Sequence, residues 1–569
     1  MTPTPSSGSD AWVERALRAW FRHRPVDATF VGLHDHDARL PDLSPAGVEK
    51  AADELRALLA EAPPAEPDPA DPLGTTWLDA RLASGALRIA LREHETGWTR
   101  RNPSAHAGDA VFGLMSLLLP ASAPPDGGEA ALVARMEGLG AFLDGARAHL
   151  DRSPRWWTER ALRECRGGLA FLREGLPHAC PDPSAGFRAA SARAEGALAS
   201  YADFLRSELL ARPSDDVACG GETFELLLRE GHALRRDADD IAAYAREEID
   251  RTRAWLEENA TDHGADTPEG VLARLADIHP SAEGYLSRFG EIWHETKALA
   301  EARDRVTWPD FPSRYVERPT WSRAAAPDLY FLFYRSPPAY DRPPVHDYLV
   351  APLDREASAE AREAFLRANN DAVIKLNHVV HHGGIGHHVQ NWHAFRSPLR
   401  VGQVAAVDAA YRISLFCGGT MAEGWACYAT DLMAEAGGLT PLEVYAEHAG
   451  RARMAARAVV DVELHHGRMT LDEAAAYYIE TAGMAESAAR AEAVKNSMFP
   501  GAALMYLVGT DAIHQLRAEL MGLLGDRFSL RAFHDDFLSW GSIPVRLMAD
   551  EMVRRARAGL PTNAHARSG

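Results

Sequence analysis

The chain has 569 residues, which is enough for one large domain or for several smaller ones. Its formal net charge of −20 argues against binding to nucleic acid or to an anionic membrane, because both interactions depend on attraction to phosphate. The five cysteines include no C-x-x-C pair, so neither a disulfide framework nor a thiolate zinc site is indicated.

In chain order, the first predicted element is a disordered tail over residues 1–10, which are small and polar. They lack the basic segment and apolar core of a signal peptide, and no apolar run reaches about 18 residues, so we expect a cytoplasmic protein without a membrane span. Helix-favouring residues and a 3.6-residue apolar period dominate the rest. We divide it into an N-terminal helical part, residues 11–240, and a second helical part with the candidate site, residues 241–569. We expect these parts to form one continuous structural unit.

Short strands are predicted at residues 330–334 and 346–351, within and after a segment rich in proline and aromatic residues. Farther along, apolar residues at helical spacing predict a long helix over 359–382. A second helix is predicted over 420–435, where Gly437 and the following glycine end it. The sequence therefore predicts an all-α protein, predominantly helical, with a small β element.

A cluster of histidines follows the first of these helices. Six of the 24 histidines of the chain lie in the 17 residues from Asn377 to His393. Neutral imidazole is the commonest metal ligand in proteins, so this density predicts a metal site. The six are His378, His381, His382, His387, His388 and His393.

Three glycines within residues 383–386 interrupt the helix inside this cluster. On an uninterrupted helix, residues six or seven apart would be separated by about 9–10 Å along the axis. Two imidazoles that bind one ion at about 2.0–2.1 Å cannot be that far apart. A turn at the glycines would bring His387 and His388 back toward His381. We predict His381 and one or both of His387 and His388 as metal ligands.

Glu423 lies among apolar residues on the helix predicted over 420–435. Burial of a carboxylate is costly unless the group is paired or binds a metal, so we predict Glu423 as a further ligand. An ion pair with Arg412 or Arg457 is the alternative. Zn²⁺ is the expected ion, and Fe, Mn or Cu stay open because ligand type alone does not select the metal.

Groups of residues spaced along nearly the whole chain form motifs in a defined order. They are residues 27–34 and 39–44, Glu423-Gly424-Trp425-Ala426 with Tyr428, Arg457 with Val459-Val460-Asp461 and His465, Pro500-Gly501 with Tyr506 and Gly509, and His534-Asp535 with Gly541 and Pro544. In this order they resemble the motifs of the bacterial DUF885 family. The resemblance implies a zincin-like, metallopeptidase-type helical architecture and metal-dependent hydrolysis of a small-molecule or short peptide-like substrate.

The central motif departs from the family pattern H-E-x-x-P-G-H-H-x-Q. Here it reads H-H-G-G-I-G-H-H-V-Q, with His382 in place of the glutamate and Ile385 in place of the proline, and Ala502 replaces the glutamine of P-G-Q. By analogy with metallopeptidases, the glutamate would be the base that activates water. His382 therefore takes the catalytic position, with its role as base, ligand or bystander left open.

The resemblance also suggests roles around the metal. Tyr506 or His465 would donate a hydrogen bond to the oxyanion, and packing is the alternative for both. Arg457 would bind a substrate carboxylate or, alternatively, pair with Asp461 one helical turn away. The remaining predicted substrate contacts are Gln390 and Tyr334.

Three functions stay open at this level. The first is hydrolysis of an amide or peptide-like small substrate. The second is a non-hydrolytic metalloenzyme (a lyase, cyclase or isomerase in specialised metabolism), because loss of the carboxylate base would suppress attack by water, and the pair His378 and His382 would then add ligands. The third is a pseudoenzyme that binds a ligand. No nucleic-acid or membrane partner is expected, and a homodimer stays open.

Overall fold

The computed structural model describes residues 8–64, 76–119, 128–329 and 336–560. Helices make up 70% of the structure, and the described strands form two small parallel sheets of two strands each. The predicted all-α class with a small β element is therefore confirmed. In the described part of the chain, the long helices carry too much polarity for any of them to span a bilayer.

The α-helices are α1 Gly8–His23, α2 Pro25–Val31, α3 Pro45–Ala60, α4 Thr76–Thr96, α5 Pro103–Met115, α6 Glu129–His149, α7 Arg155–Ala170, α8 Leu176–Ala179, α9 Ala185–Phe204, α10 Gly221–Leu226, α11 Ala238–Asn259, α12 Pro268–Ala276, α13 Tyr285–Ala302, α14 Thr320–Arg323, α15 Ala359–Ala368, α16 His387–Ala394, α17 Arg400–Val404, α18 Gly419–Glu435, α19 Pro441–His465, α20 Leu471–Ala482, α21 Glu486–Met498, α22 Met505–Leu524, α23 Leu530–Ser539 and α24 Val545–Arg557. The strands are β1 Ser153–Pro154, β2 Pro213–Ser214, β3 Ser313–Glu317 and β4 His346–Val350. Segments of π-helix are Phe171–Gly175, Leu205–Leu209, Leu227–Gly231 and Val373–Gly383.

The chain folds into two compact units, each made of three segments. The first unit comprises Met1–Leu226, Arg318–Pro343 and Leu399–Phe416, and the second comprises Leu227–Glu317, Pro344–Pro398 and Cys417–Gly569. This differs from the expected sequential division at residue 240, because two short segments return to the first unit. The apolar period predicts where helices lie but not which helices pack together, so it could not predict that two later segments belong to the first unit.

The predicted tail is partly helical, since α1 begins at Gly8. Residues 1–7 lie outside the described residues. In the first unit, α5, α6, α7 and α9 pack around an apolar core that includes Phe142 and Tyr201. The buried Arg135 guanidinium donates to the carbonyl oxygens of Arg39 and Pro25 and to the hydroxyl of Thr29, so its charge is well hydrogen-bonded.

In the second unit, α18 and α22 cross at very short distance because a glycine lies on each side of the crossing. A Cβ atom at Gly424 would lie 2.5 Å from the carbonyl carbon of Gly509, and one at Gly509 would collide with the carbonyl oxygen of Thr420. The predicted helix over 420–435 is confirmed as α18, which ends before Gly437 in the left-handed region at φ +80°. This crossing fixes the position of Glu423, the neighbour of Gly424.

The helix predicted over 359–382 is interrupted in the structure. It ends at Ala368, and a π-helix follows from residue 373. The side chain of Asn370 accepts a hydrogen bond from the backbone N–H of Val373 at 3.0 Å, as an N-terminal cap does. The apolar period continues across this break, so the pattern alone predicted one helix.

Strand β4, His346–Val350, confirms the strand predicted at 346–351 to within one residue. It pairs in parallel with β3, from Ser313 beside His346 to Glu317 beside Val350, and β3 was not predicted. The other predicted strand, residues 330–334, lies outside the described residues, and so does Tyr334.

Candidate functional site

The predicted break in the histidine segment is confirmed, and a close backbone approach explains it. The π-helix ends at Gly383 and α16 begins at His387. At Gly386, a Cβ atom would collide with the carbonyl oxygen of His381, so a larger residue would push the two backbone segments apart. The turn therefore brings His387 back beside His381.

Two buried tryptophans hold this turn by hydrogen bonds to its carbonyl oxygens. The indole N–H of Trp293 on α13 donates to the carbonyl oxygen of Gly383 at 2.8 Å. That of Trp425 on α18 donates to the carbonyl oxygen of Ile385 at 2.9 Å. The loop has no regular secondary structure of its own, so these two bonds satisfy polar groups that would otherwise be buried and unpaired.

Three imidazoles and one carboxylate meet at the turn. His381, His382 and His387 each place a ring nitrogen within 4.8 Å of the other two. Oε2 of Glu423 lies 3.2 Å from Nε2 of His381 and 3.5 Å from Nε2 of His387. In a tetrahedral zinc site with bonds of about 2.0–2.2 Å, neighbouring ligand atoms are about 3.3–3.6 Å apart. The two contacts of Glu423 match that spacing.

The environment of Glu423 also fits a cation. Its Oε2 atom is buried, and neither of its contacts with the imidazoles has the geometry of a hydrogen bond to a described residue. A buried carboxylate oxygen without a hydrogen bond is costly, whereas a metal ion would satisfy it. The side chains of His381, His387 and Glu423 keep 14%, 12% and 17% exposure, so water can reach the site.

Local interactions place these groups in the ionisation states that bind metals. Burial disfavours the charged form of Glu423, yet His387 and His381 hold the pKa of that carboxyl well below its usual range. Burial lowers the pKa of His381, although Glu423 opposes this, and burial together with the neighbouring imidazoles lowers the pKa of His382 well below its usual value. The result is an ionised carboxylate at Glu423 and neutral imidazoles at His381 and His382.

His382 has a fixed orientation. Its Nδ1–H donates to the carbonyl oxygen of Asn377, five residues earlier on the π-helix, at 2.6 Å. The proton is therefore on Nδ1, and Nε2 carries the lone pair. Metal-binding histidines commonly have this arrangement, in which a backbone carbonyl fixes the ring and its tautomer. Sγ of Cys427 lies 3.9 Å from Nδ1 of His381, and burial raises the pKa of this thiol well above its usual value, so it is not an activated nucleophile.

The structure does not bring His388 to the cluster. Its Nε2 donates to the carbonyl oxygen of Phe311 at 2.5 Å, and its ring stacks on that of Phe311 with 4.5 Å between centroids. These two contacts with Phe311 hold the His388 ring away from the group formed by residues 381, 382 and 387. Of the two alternatives, the geometry selects His387.

His378 is also directed elsewhere. Its Nδ1 lies 2.6 Å from the hydroxyl oxygen of Tyr348 on β4, and burial lowers the pKa of the imidazole to about 4. The spacing of four residues between His378 and His382 would align them on an α-helix. The contact with Tyr348 therefore keeps His378 outside the group formed by residues 381, 382 and 387.

Arg457 contacts both an acid and an aromatic ring. Its Nε donates to Oε1 of Glu492 on α21 at 2.7 Å, and its guanidinium carbon lies 4.7 Å from the ring centroid of Tyr506 on α22. The ion pairs considered for Glu423 with Arg457 or Arg412 do not form, since Arg412 pairs with Glu93 inside the first unit. Arg457 is close enough to His381 to contribute to lowering the pKa of that imidazole.

The alternative pair of Arg457 with Asp461 is also absent. The Asp461 carboxylate instead accepts hydrogen bonds from the backbone N–H groups of Gly501, Ala503 and Leu504, at 2.9–3.0 Å. It thus holds the turn that precedes α22 and Tyr506.

His465 and Gln390 pack against neighbouring helices. Nε2 of His465 donates to the carbonyl oxygen of Asn496 at 3.0 Å, the side chain has no exposure, and burial lowers its pKa to about 4. The amide nitrogen of Gln390 donates to the hydroxyl of Ser542. Neither belongs to the group of close ring nitrogens, which is formed by residues 381, 382 and 387.

Sequence reasoning missed the residues that orient the site. Trp293 lies 90 residues before its acceptor, and Asn377 acts through its backbone, so neither carried a motif. Two residues of separate motifs do meet: the hydroxyl of Tyr428 lies 2.9 Å from Nε2 of His534. The two motifs that contain these residues are therefore joined by a contact between α18 and α23.

Comparisons with known proteins agree with this fold. The family model described as "Bacterial protein of unknown function (DUF885)" matches residues 25–552. No curated protein matches the chain. A solved structure, "a putative lipoprotein of unknown function from Shewanella oneidensis", is similar with TM-score 0.76 and 21% identity, covering 96% of this chain and 100% of that one. Another, "the putative lipoprotein from Colwellia psychrerythraea", has TM-score 0.72 and 17% identity, covering 96% and 98%. At these identities the likeness shows the fold alone.

Proposed function

Because the chain belongs to the DUF885 family, whose description states no activity, we propose a function from the chemistry of the site: a metal-dependent, zincin-like hydrolase of a small amide or peptide-like substrate. One observation carries the proposal. Oε2 of Glu423 is buried and hydrogen-bonds to no residue that the structure describes, and it lies 3.2 Å and 3.5 Å from two imidazole nitrogens, close to the spacing of ligands around one small cation.

In this proposal, each side chain of the site has a separate role. His381, His387 and Glu423 would hold a divalent metal, with Zn²⁺ as the expected ion and Fe, Mn or Cu as alternatives. A divalent metal bound there supplies Lewis acidity, which polarises a carbonyl group and acidifies water. His382 would present the lone pair of Nε2, either to the metal or to the proton of the attacking water. Tyr506, half-buried beside Arg457, would donate a hydrogen bond to the developing oxyanion.

The orientation of His382 favours a second candidate, a non-hydrolytic metalloenzyme such as a lyase, cyclase or isomerase. Its Nδ1–H is committed to a backbone carbonyl, as in a metal ligand, and its Nε2 belongs to the cluster. Glu423 lies between two imidazoles, where it serves as a ligand and not as a base. A site with three imidazoles and one carboxylate, and with the family's glutamate replaced, is less suited to activating water.

Metal content tests the shared premise of both candidates. Purified protein protected from chelators should contain about one metal per chain by elemental mass spectrometry. His381→Ala and Glu423→Gln should lose it, and His178→Ala, an exposed histidine of the first unit, should keep it. Metal absent from the wild type, or equal in all four proteins, would refute the proposal.

Activity then separates the two candidates. The hydrolase should release an amine from members of an amide and short-peptide panel, and chelation should abolish the release until the metal is restored. A non-hydrolytic enzyme should release no amine and should instead convert its substrate with no mass change or with loss of one water. The cytoplasmic location stays a prediction, which cell fractionation tests against the lipoprotein label of the two similar structures.

A further inference from the structure

A cavity of about 600 Å³ lies between α13 and β3 in the second unit. Cavities of about 300–1,000 Å³ are the size that holds small organic ligands. The helical wall has Leu286, Gly290 and Trp293, spaced by four and three residues, as on one face of a helix. The other wall has Ser313 and Tyr315, spaced by two residues, as on one face of a strand. The described residues that line it include none of the proposed metal ligands, so the cavity is a second site.

A glycine in the helical wall leaves this space open. At Gly290 an added Cβ atom would meet no atom within 4 Å, so no close backbone approach requires a glycine at this position. A glycine in the middle of a helix is unfavourable relative to alanine. Gly290 therefore weakens α13 without a packing reason, and its absent side chain leaves room for a ligand.

A buried hydroxyl in the other wall has no hydrogen-bond partner. Ser313 is 9% exposed, and its Oγ atom hydrogen-bonds to no residue that the structure describes. Ser287 in the helical wall differs, since its hydroxyl donates to the carbonyl oxygen of Gly284 at 3.0 Å. A buried polar group without a partner is costly, and a ligand in the cavity would remove that cost. Ser313 therefore indicates a ligand with a hydrogen-bonding atom at this wall.

The two walls run in opposite directions, which defines the ends of the cavity. The ring of Trp293 packs against that of Trp308, which precedes β3, with 5.7 Å between centroids. The ring of Phe289 packs against that of Tyr315, within β3, at 5.4 Å. A helix rises about 1.5 Å per residue and a strand about 3.3 Å, so Glu317 at the end of β3 lies near the start of α13.

Charged side chains line this end of the cavity. They include the carboxylates of Glu283, just before α13, and of Glu317. The guanidinium of Arg355 follows β4, which runs parallel to β3 and ends beside Glu317. The other arginine of the lining, Arg314, is neutralised by Asp347, to which it donates two hydrogen bonds at 2.7 and 2.9 Å. Two carboxylates beside one guanidinium favour a cationic group on the ligand.

Aromatic rings line the space between the charged end and the far wall: Tyr285, Trp293 and Tyr315. Rings of this kind pack edge-on or offset against an aromatic ligand. We propose that the cavity binds a small aromatic amine with a hydroxyl group at the far end of its ring. The ammonium group lies at the carboxylates of Glu283 and Glu317, and the hydroxyl group hydrogen-bonds to Ser313. This site does not depend on the proposed hydrolysis.

Four probes of similar shape test the assignment. Tyramine carries both groups, 2-phenylethylamine lacks the hydroxyl, 2-(4-hydroxyphenyl)ethanol lacks the positive charge, and 3-(4-hydroxyphenyl)propanoate carries a negative charge instead. Isothermal titration calorimetry on the full-length protein should give tyramine a Kd of about 1 mM or tighter. Tyramine should bind about 3- to 10-fold more tightly than 2-phenylethylamine and about 10-fold more tightly than the alcohol, and the propanoate should bind most weakly.

Variants of the two walls locate the bound probe. Gly290→Leu should abolish binding by filling the cavity and should keep the melting temperature, because leucine favours helix. Gly196→Leu, at an exposed and equally open glycine of α9, should bind tyramine normally. Ser313→Ala should remove the advantage of tyramine over 2-phenylethylamine without lowering the melting temperature, since it deletes a buried hydroxyl that has no described partner. Ser287→Ala should keep that advantage.

Variants of the charged end test the cationic group. Glu283→Gln combined with Glu317→Gln should make the affinities for tyramine and the alcohol equal. Glu291→Gln on α13, which removes an exposed carboxylate 3.2 Å from Arg288, should keep the preference for tyramine. A propanoate probe that binds as tightly as tyramine would overturn the proposal. Absence of tyramine binding, undiminished binding in Gly290→Leu, or binding that is lost when a chelator removes zinc would also overturn it.

Discussion

The hydrogen bond from Trp293 to the glycine turn offers a direct test of how the site is held. Trp293→Phe would remove the indole N–H that donates to the carbonyl oxygen of Gly383 at 2.8 Å. The adjacent Trp308 provides a matched control, since its ring packs edge-on against Trp293 with 5.7 Å between centroids. Its indole nitrogen is buried and hydrogen-bonds to no residue that the structure describes.

The two substitutions remove the same atoms, so their difference measures the hydrogen bond. In Trp293→Phe the buried carbonyl oxygen of Gly383 loses its partner, which costs about 1–3 kcal/mol. In Trp308→Phe an N–H without a described acceptor is replaced by an apolar edge, which removes a desolvation cost. We therefore expect Trp293→Phe to be less stable than Trp308→Phe by about 1–3 kcal/mol.

Urea unfolding followed by circular dichroism gives the stability difference, and competition with a fluorescent chelator gives the zinc affinity. Because the turn orients His387, zinc affinity should fall about 10-fold or more in Trp293→Phe, as it does when outer-shell partners are lost. It should stay at the wild-type value in Trp308→Phe. Equal losses of stability in the two variants would refute the assigned role of this bond.

Three further predictions concern packing, pH and the ligand set. Gly424→Ala should lower stability by about 1–3 kcal/mol, because its Cβ would press on the backbone of Gly509. Gly522→Ala, on the open face of α22, is the control and should stabilise the protein slightly. The melting temperatures of the two variants test this difference. His382→Gln should weaken zinc binding about 10- to 100-fold by the same chelator assay, and an unchanged affinity would make His382 a bystander. Stability should fall as pH falls from about 6.5 toward 4, because buried neutral histidines have pKa values of about 3 or 4 in the folded protein and take up protons on unfolding. Calorimetric unfolding should therefore show a lower midpoint temperature at pH 5 than at pH 7. These histidines are His346, His378, His388, His465 and His534.

The break within residues 383–386 could be predicted because it depends on a local feature of the sequence, the glycines themselves. Three glycines within four residues disfavour a continuous helix, so the break between His381 and His387 could be predicted from the sequence alone. The choice between His387 and His388 did not follow. It depends on the carbonyl oxygen and ring of Phe311, which come from a segment 77 residues earlier.

Long-range partners account for the other differences. Arg457 pairs with Glu492 and not with Asp461, because Asp461 is used by three backbone N–H groups of the turn before α22. The π-helical segment was invisible to the apolar period, since over 11 residues a hydrogen-bond shift from i+4 to i+5 barely alters which positions are apolar. Within that segment His378 contacts Tyr348, whereas Nδ1–H of His382 donates to the carbonyl oxygen of Asn377.

The residue that replaces the family's glutamate, His382, lies on the π-helix. A histidine at position 382 is useful as a ligand only if its Nε2 faces the metal with its lone pair free, which requires the proton on Nδ1. The carbonyl of Asn377, five residues earlier on the π-helix, meets that requirement. A glutamate at the same position would have no proton to donate to this carbonyl at neutral pH. His382 therefore fits the backbone that holds it better than the glutamate would, and the bond to Asn377 keeps the lone pair of Nε2 directed away from the helix backbone, where a metal ion or a proton can take it.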